Sequence, residues 1–232
     1  EWLQHDIAPD MTSLGETDRR LLRMLLGQML DSVADNGLTS QDGADLLWAH
    51  PQVRAELREL LAHLAGGIPH LGHPLDQPTG VPLRVHSRYA RAEILAACGV
   101  GTGAKARTWR EGVYYAKEIP ADLFAFTLDK TKGQFSPTTR YRDYAISREL
   151  IHWESQSTTR ETSDTGIRYQ NHEKLGSHVL LFARLNVSER AFYFLGPASY
   201  VRHEGELPMA ATWRLRHPLP GDLFQAFAAA VA

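Results

Sequence analysis

The sequence predicts an α+β chain, in which a small N-terminal helical bundle precedes a curved, mostly antiparallel β-sheet domain with flanking helices. Three observations carry that expectation. Apolar residues recur at spacings of three and four up to residue 66, proline and glycine crowd residues 66–82, and the later apolar runs are short, aromatic and β-branched. A length of 232 residues with 43% hydrophobic and 22% charged side chains allows a buried core and argues against wholesale disorder.

Thr17 is read as the cap of a first helix carrying Leu21, Leu22, Leu25, Leu26, Met29, Leu30 and Val33, with Asn36-Gly37 as its stop. Ser40 is read as the cap of a short second helix bearing Leu46, Leu47 and Trp48. Pro51 opens a third, with Val53, Leu57, Leu60, Leu61 and Leu64 on one face and Gly66-Gly67 at its end. This organisation assigns residues 1–66 to a helical domain, 67–80 to a linker and 81–232 to the sheet domain. Strands are expected at 112–116, 123–128, 178–184, 191–195 and 211–215. Ser87 is read as capping a helix over 88–97, and Asp222 a closing helix over 223–231.

Several classes drop out. A mean hydropathy of -0.32 and the lack of an apolar run near 18 residues exclude a transmembrane helix. The opening Glu1-Trp2-Leu3-Gln4-His5-Asp6 has no secretory pattern, and a lone Cys98 excludes an internal disulfide or a multi-cysteine zinc site, so a cytoplasmic protein is expected. His70 and His73 sit in the Pro/Gly-rich linker without a second ligand pair, Gly99-Val-Gly101-Thr-Gly103 lacks the Gly-Lys-Ser/Thr of a phosphate loop, and Cys98 has no assignable base. No metal and no cofactor are expected. The first residue, Glu1, reads as the start of a piece cut from a longer protein.

The net charge of -2 conceals a division. Residues 1–80 carry five basic against twelve acidic side chains, whereas residues 81–232 carry twenty against fifteen. A basic half suggests a polyanion as partner, and an ordinary solvated surface is the plain alternative. The basic groups concentrate in residues 127–169, where Lys130, Lys132, Arg140, Arg142 and Arg148 are interspersed with hydroxyls, among them Ser136, Thr139, Ser155 and Ser157, and with the rings of Phe135, Tyr141, Tyr144, Trp153 and Tyr169. Cations and hydroxyls hold phosphates while flat rings stack on bases, so the segment has the composition of a nucleic-acid surface. Equally, the rings are candidates for the core and the hydroxyls for turn caps.

The strings Thr127-Leu-Asp-Lys130, Ser136-Pro-Thr-Thr-Arg-Tyr-Arg-Asp-Tyr-Ala-Ile-Ser147 and His152-Trp-Glu-Ser-Gln-Ser157 resemble the C-terminal domain of unknown function attached to superfamily-2 helicases, often behind a phospholipase-D-type nuclease. Leu181-Phe-Ala-Arg184, Phe194-Leu-Gly196 and Ala211-Thr-Trp213 extend the resemblance over residues 81–218. It implies a type IV restriction enzyme and an SRA-like, PUA-superfamily reader of double-stranded DNA carrying 5-methyl- or 5-hydroxymethylcytosine. The helicase and nuclease domains of the parent chain would be its partners, and no membrane would be involved.

Under that resemblance the base is flipped from the duplex. The pocket would use Tyr141, Tyr144 and Trp153 as walls, with Tyr114 or Tyr169 as substitutes, and Asp143 as acceptor for the cytosine amine. Ser155, Gln156 and Ser157 would form its polar edge. Lys130, Lys132, Ser136, Thr139, Arg140, Arg142, Arg160 and Arg168 would meet the DNA backbone, extended by Arg84, Arg88, Arg91, Lys105, Arg107 and Arg110. The residues themselves leave Trp153 open as a core tryptophan, Asp143 as an arginine partner and His152 as a structural or phosphate-facing histidine. The expected role is a non-catalytic reader. The alternative is a regulatory module that couples a helicase to other subunits through its leucine-faced helices.

Overall fold

The structure is a computed structural model that describes residues 2–30, 37–68, 72–101, 109–129 and 143–231. Among these residues six helices and ten strands follow one another. They are α1 (Glu16–Met29), α2 (Ser40–Trp48), α3 (Pro51–Gly66), β1 (His73–Pro74), β2 (Arg84–Val85), β3 (Arg88–Ala90), α4 (Arg91–Ala97), β4 (Val113–Ala116) and β5 (Ala121–Thr127). Then come β6 (Tyr144–Ala145), β7 (Leu150–Glu154), α5 (Asp164–Asn171), β8 (His178–Arg184), β9 (Ala191–Glu204), β10 (Ala210–Leu215) and α6 (Gly221–Val231). The α+β class holds, with six helices around a mostly antiparallel sheet.

The main sheet runs in the order β4-β5-β8-β9-β10-β7-β6, with β3 paired to β9. Its path ends at β4 and at β6, so the sheet is open rather than a closed barrel. The pair β5–β8 is parallel, in register from Ala121 opposite His178 to Thr127 opposite Arg184, and parallel neighbours need a long crossover. That crossover contains β6, β7 and α5.

Period-two alternation divides the core between the two faces of the sheet. On β5, Leu123 and Ala125 join a cluster with Ile94, Leu95 and Phe194, whereas Phe124 and Phe126 face Trp153, Trp213 and Phe227. β8 and β9 divide likewise. With α4 over one face and α6 over the other, these strands are largely apolar on both faces, as doubly covered strands must be, with Asp122 of β5 a buried exception. At Gly196 on β9 the backbone takes φ +98°, and an added Cβ would lie 3.1 Å from Val85. Only glycine suits that crossing.

The helical unit has its own core of Leu22, Leu26, Ala44, Leu47 and Trp48. It also touches the sheet domain: Met24 joins the α4-side cluster, and Arg20 donates to the carbonyl of Gly80 at 3.1 Å. On α3 only Leu57 of the apolar stripe is buried, and Val53, Leu60, Leu61 and Leu64 are exposed.

Local details depart from the sequence reading. Gly15, not Thr17, precedes α1, and the cap of α2 is Thr39, which forms a reciprocal capping box with Asp42. Arg88–Ala90, expected as helix, are a strand, because their backbone pairs with Ala191–Tyr193. The linker holds β1, paired with β2. α5 was not foreseen; Ser163 caps it, and Gly166 packs where a Cβ would lie 2.1 Å from the Arg160 carbonyl oxygen.

Candidate nucleic-acid interface

The parallel register of β5 and β8 ends both strands at one place, where Arg184 Nε donates to Thr127 Oγ1 at 2.9 Å. Around those ends lies a half-open cavity of about 420 Å³, completed by the start of α4, the turn before β4 and the end of β7. Its lining includes the cations Arg91, Arg110 and Arg184 together with Glu111, Asp143, Glu154 and Gln156, and Trp153, Val113 and Phe126 supply apolar surface. A volume in the range of about 300–1,000 Å³ with a few convergent polar groups fits a small-molecule or nucleotide site.

Several of these polar groups are held. The Glu154 backbone N–H donates to Asp143 Oδ1 at 3.0 Å, which orients this buried carboxylate. Gln156 Nε2 donates to Glu111 Oε2 at 3.1 Å. Arg91 donates to the carbonyls of Trp109, Arg110 and Glu111 at 3.3–3.4 Å. Burial pulls the guanidiniums of Arg91 and Arg184 below their ordinary pKa, and the charge of Arg184 lowers Arg91 further.

Several expected site residues prove to be packing residues. Trp153 borders the cavity, but its ring stacks on Phe124 at 4.1 Å and is 4% exposed. Tyr169 is buried against Phe124, Trp153 and Trp213, and that burial raises its phenol pKa. Ser155 is fully buried and ties two segments together: its Oγ accepts the Met209 N–H at 2.9 Å and donates to the Gln156 carbonyl at 3.1 Å. Arg168 is engaged with Asp122 through two bonds of 2.7 and 2.8 Å and lies over the Tyr115 ring at 4.3 Å. It is an internal partner of Asp122.

The remaining residues lie outside the cavity or outside the described residues. Tyr144 is exposed and stacks on His152 at 4.6 Å, and Ser157 is exposed. Arg160 lies 3.5 Å from Glu206, and Arg88 pairs with Glu189 at 3.3 Å over Tyr193. Lys105, Arg107, Lys130, Lys132, Ser136, Thr139, Arg140, Tyr141 and Arg142 fall outside the described residues.

Sequence reasoning missed Arg184, Glu111, Glu154 and Thr127 as site residues. Arg184 left one signal, a cation that abruptly ends the apolar strand His178–Ala183. Among the described residues no group of three or more His, Cys, Asp or Glu could hold a metal ion. Burial pushes the Cys98 thiol up to about 12, which leaves no reactive thiolate. No helix among the described residues is long and apolar enough to cross a membrane.

The class is an α+β domain with an open, mostly antiparallel sheet, and its cavity is lined by both arginines and carboxylates. Residues 83–227, more than half of the chain, match the family described as Domain of unknown function (DUF3427), and the chain belongs to that family. No curated protein matches the sequence. Among solved structures it is similar to SUVH6 of Arabidopsis thaliana, in complex with SAM, at 13% identity and a TM-score of 0.42. The likeness covers 88% of this chain and 39% of that one, and at that score it carries no argument.

Proposed function

We propose that residues 81–232 are a non-catalytic DNA reader that accepts a modified cytosine, 5-methyl or 5-hydroxymethyl, flipped from the duplex into the 420 Å³ cavity. The observation that carries this reading is one cavity holding both the oriented, buried carboxylate of Asp143 and the cations Arg91, Arg110 and Arg184. A carboxylate accepts a hydrogen bond from the exocyclic amine of cytosine, where thymine offers a carbonyl. A C5 methyl adds roughly 1 kcal/mol of apolar burial, a small increment for a groove contact. Enclosing the whole base reads its perimeter, at a cost of a few kcal/mol for unstacking.

In this reading Gln156 and Glu111 complete the polar edge, Tyr144 stands at the rim, and the basic residues between Lys130 and Arg142 follow the backbone with Ser157, Arg160 and Arg88. Residues 1–66 are taken as a helical unit after a helicase motor and 67–80 as its linker. The parent chain would be a cytoplasmic, modification-dependent restriction enzyme with helicase and nuclease parts. The test is equilibrium binding of a duplex with one modified cytosine against the unmodified duplex at several salt concentrations. The reader binds the modified duplex more tightly at every salt concentration; equal affinities throughout would overturn it.

A second reading rests on α3. Its exposed stripe of Val53, Leu60, Leu61 and Leu64 favours an interaction surface through which the helical unit couples to other parts of a larger protein.

A further inference from the structure

Arg91 and Arg184 stand out among the half-buried charges. Their guanidiniums lie over the same Phe192 ring, at 5.3 and 4.8 Å from its centroid. Among the described residues neither forms an ion pair with a carboxylate: Arg91 reaches only carbonyls, and Arg184 reaches Thr127 Oγ1 and, at 2.6 Å, the Glu189 carbonyl. Among the described residues the buried Arg91 Nε has no hydrogen-bond partner. The carboxylate of Glu189 is instead occupied by Arg88 and by the Leu185 N–H. Partly desolvated cations gain from an opposite charge, and the one carboxylate that acts on Arg184, Glu189, also serves Arg88, so two like charges on one ring favour a further, external anion.

Space exists for that counter-charge. The same two arginines, with Arg190 and Phe192, also line a second half-open cavity of about 560 Å³, to which Gln28 and Met29 at the end of α1 contribute. Among the described residues no Asp or Glu lines it. Arg91 and Arg184 are thus shared between this cation-walled cavity and the one that holds Asp143.

We propose that Arg91 and Arg184, with Arg190 at the rim, form a seat for a phosphate group, and that this group is a phosphodiester of the nucleic acid presented to the neighbouring cavity. The planar forks of two arginines match the oxygens of a phosphate, and a doubly cationic seat favours the anion over water. Only the source of the phosphate rests on the DNA reading; the seat itself does not.

The test uses inorganic phosphate as probe. At constant ionic strength, replacing chloride by phosphate raises the melting temperature of the whole chain in a saturable way and broadens the phosphate 31P resonance. Arg184→Gln and Arg91→Gln each weaken the apparent phosphate affinity about tenfold. Equal melting temperatures in phosphate and chloride, or variants that respond as the unsubstituted chain does, would overturn the seat. Should the Gln variants lose their near-ultraviolet circular dichroism, Arg190→Gln and the wild-type 31P titration decide instead.

Unmodified duplex competes the phosphate away if the seat holds a phosphodiester, and the slope of log K against log salt falls by about 0.9 in Arg184→Gln. A duplex that binds without displacing phosphate overturns the phosphodiester as source. Equal binding of modified and unmodified DNA would sink the reader while leaving each of these results as stated.

Discussion

Trp153 lies parallel to Phe124, their ring centroids 4.1 Å apart and the planes inclined by 19°, so the tryptophan at the edge of the cavity is part of the core beneath it. Strand β7 alternates Ile151 and Trp153 inward with His152 and Glu154 outward, and β5 delivers Phe124 to the same face. Removing this ring leaves a void in a close-packed layer. Trp153→Ala destabilises the chain by about 3–5 kcal/mol. The melting temperature falls by roughly 10 °C, and Trp153→Phe restores most of the loss. Unchanged stability of the alanine variant would return Trp153 to the pocket.

Arg168 neutralises the fully buried Asp122. Arg168→Ala leaves that carboxylate uncompensated and costs about 3–5 kcal/mol. Burial already raises the Asp122 pKa, and losing Arg168 removes the two interactions that lower it most. The folded variant then binds a proton that the unfolded chain releases, so its stability declines as pH rises from the ordinary carboxylate range through the raised pKa. Denaturant titrations at pH 5 and pH 7.5 check this: the destabilisation of Arg168→Ala relative to the unsubstituted chain is smaller at pH 5 than at pH 7.5. If Arg168→Ala weakens DNA binding at undiminished stability, Arg168 is a phosphate contact after all.

His172 is 4% exposed, its Nδ1 is 3.3 Å from the Ser177 carbonyl oxygen, and burial lowers its pKa. The unfolded chain takes up the proton first, so stability present above the ordinary histidine pKa of about 6.5 is lost as pH falls through it. His178 and His217 are lowered by burial too and act in the same sense. His172→Gln therefore shows a shallower loss between pH 7.5 and 5.5 than the unsubstituted chain. Parallel profiles would contradict the buried neutral imidazole.

Asp143→Asn preserves an acceptor at the size of the original side chain but introduces an amide donor into the cavity. Discrimination between modified cytosine and thymine at one site falls by about 1–3 kcal/mol, read by competition between two labelled duplexes. The affinity for unmodified DNA changes little. Undiminished discrimination removes Asp143 from base reading.

Much of the fold was legible because its signals are local. The run His178–Arg184 reads as a strand from its apolar, β-branched composition, and Pro51 and Gly66 bracket α3 by their own backbone chemistry. Arg88–Ala90 were misread because their state depends on pairing with Ala191–Tyr193, a hundred residues away in sequence. α5 escaped because eight residues with few apolar positions give little periodicity.

The site divided along the same line. Asp143 and Gln156 were singled out within a polar segment and do line the cavity. Tyr169 and Arg168 carry the same chemistry whether they face a ligand or a core, and only the tertiary arrangement of α5 against β5 puts them inside. Arg184 became a site residue through its parallel register beside Thr127, which no local pattern encodes.

The central claim is that a modified cytosine leaves its duplex and enters the cavity beside Asp143. A crystal structure of the chain with a duplex carrying a single 5-methylcytosine measures this directly. The account predicts that base extruded, its exocyclic amine within hydrogen-bonding distance of the Asp143 carboxylate. A modified base still stacked in the duplex, or bound away from this cavity, would contradict it.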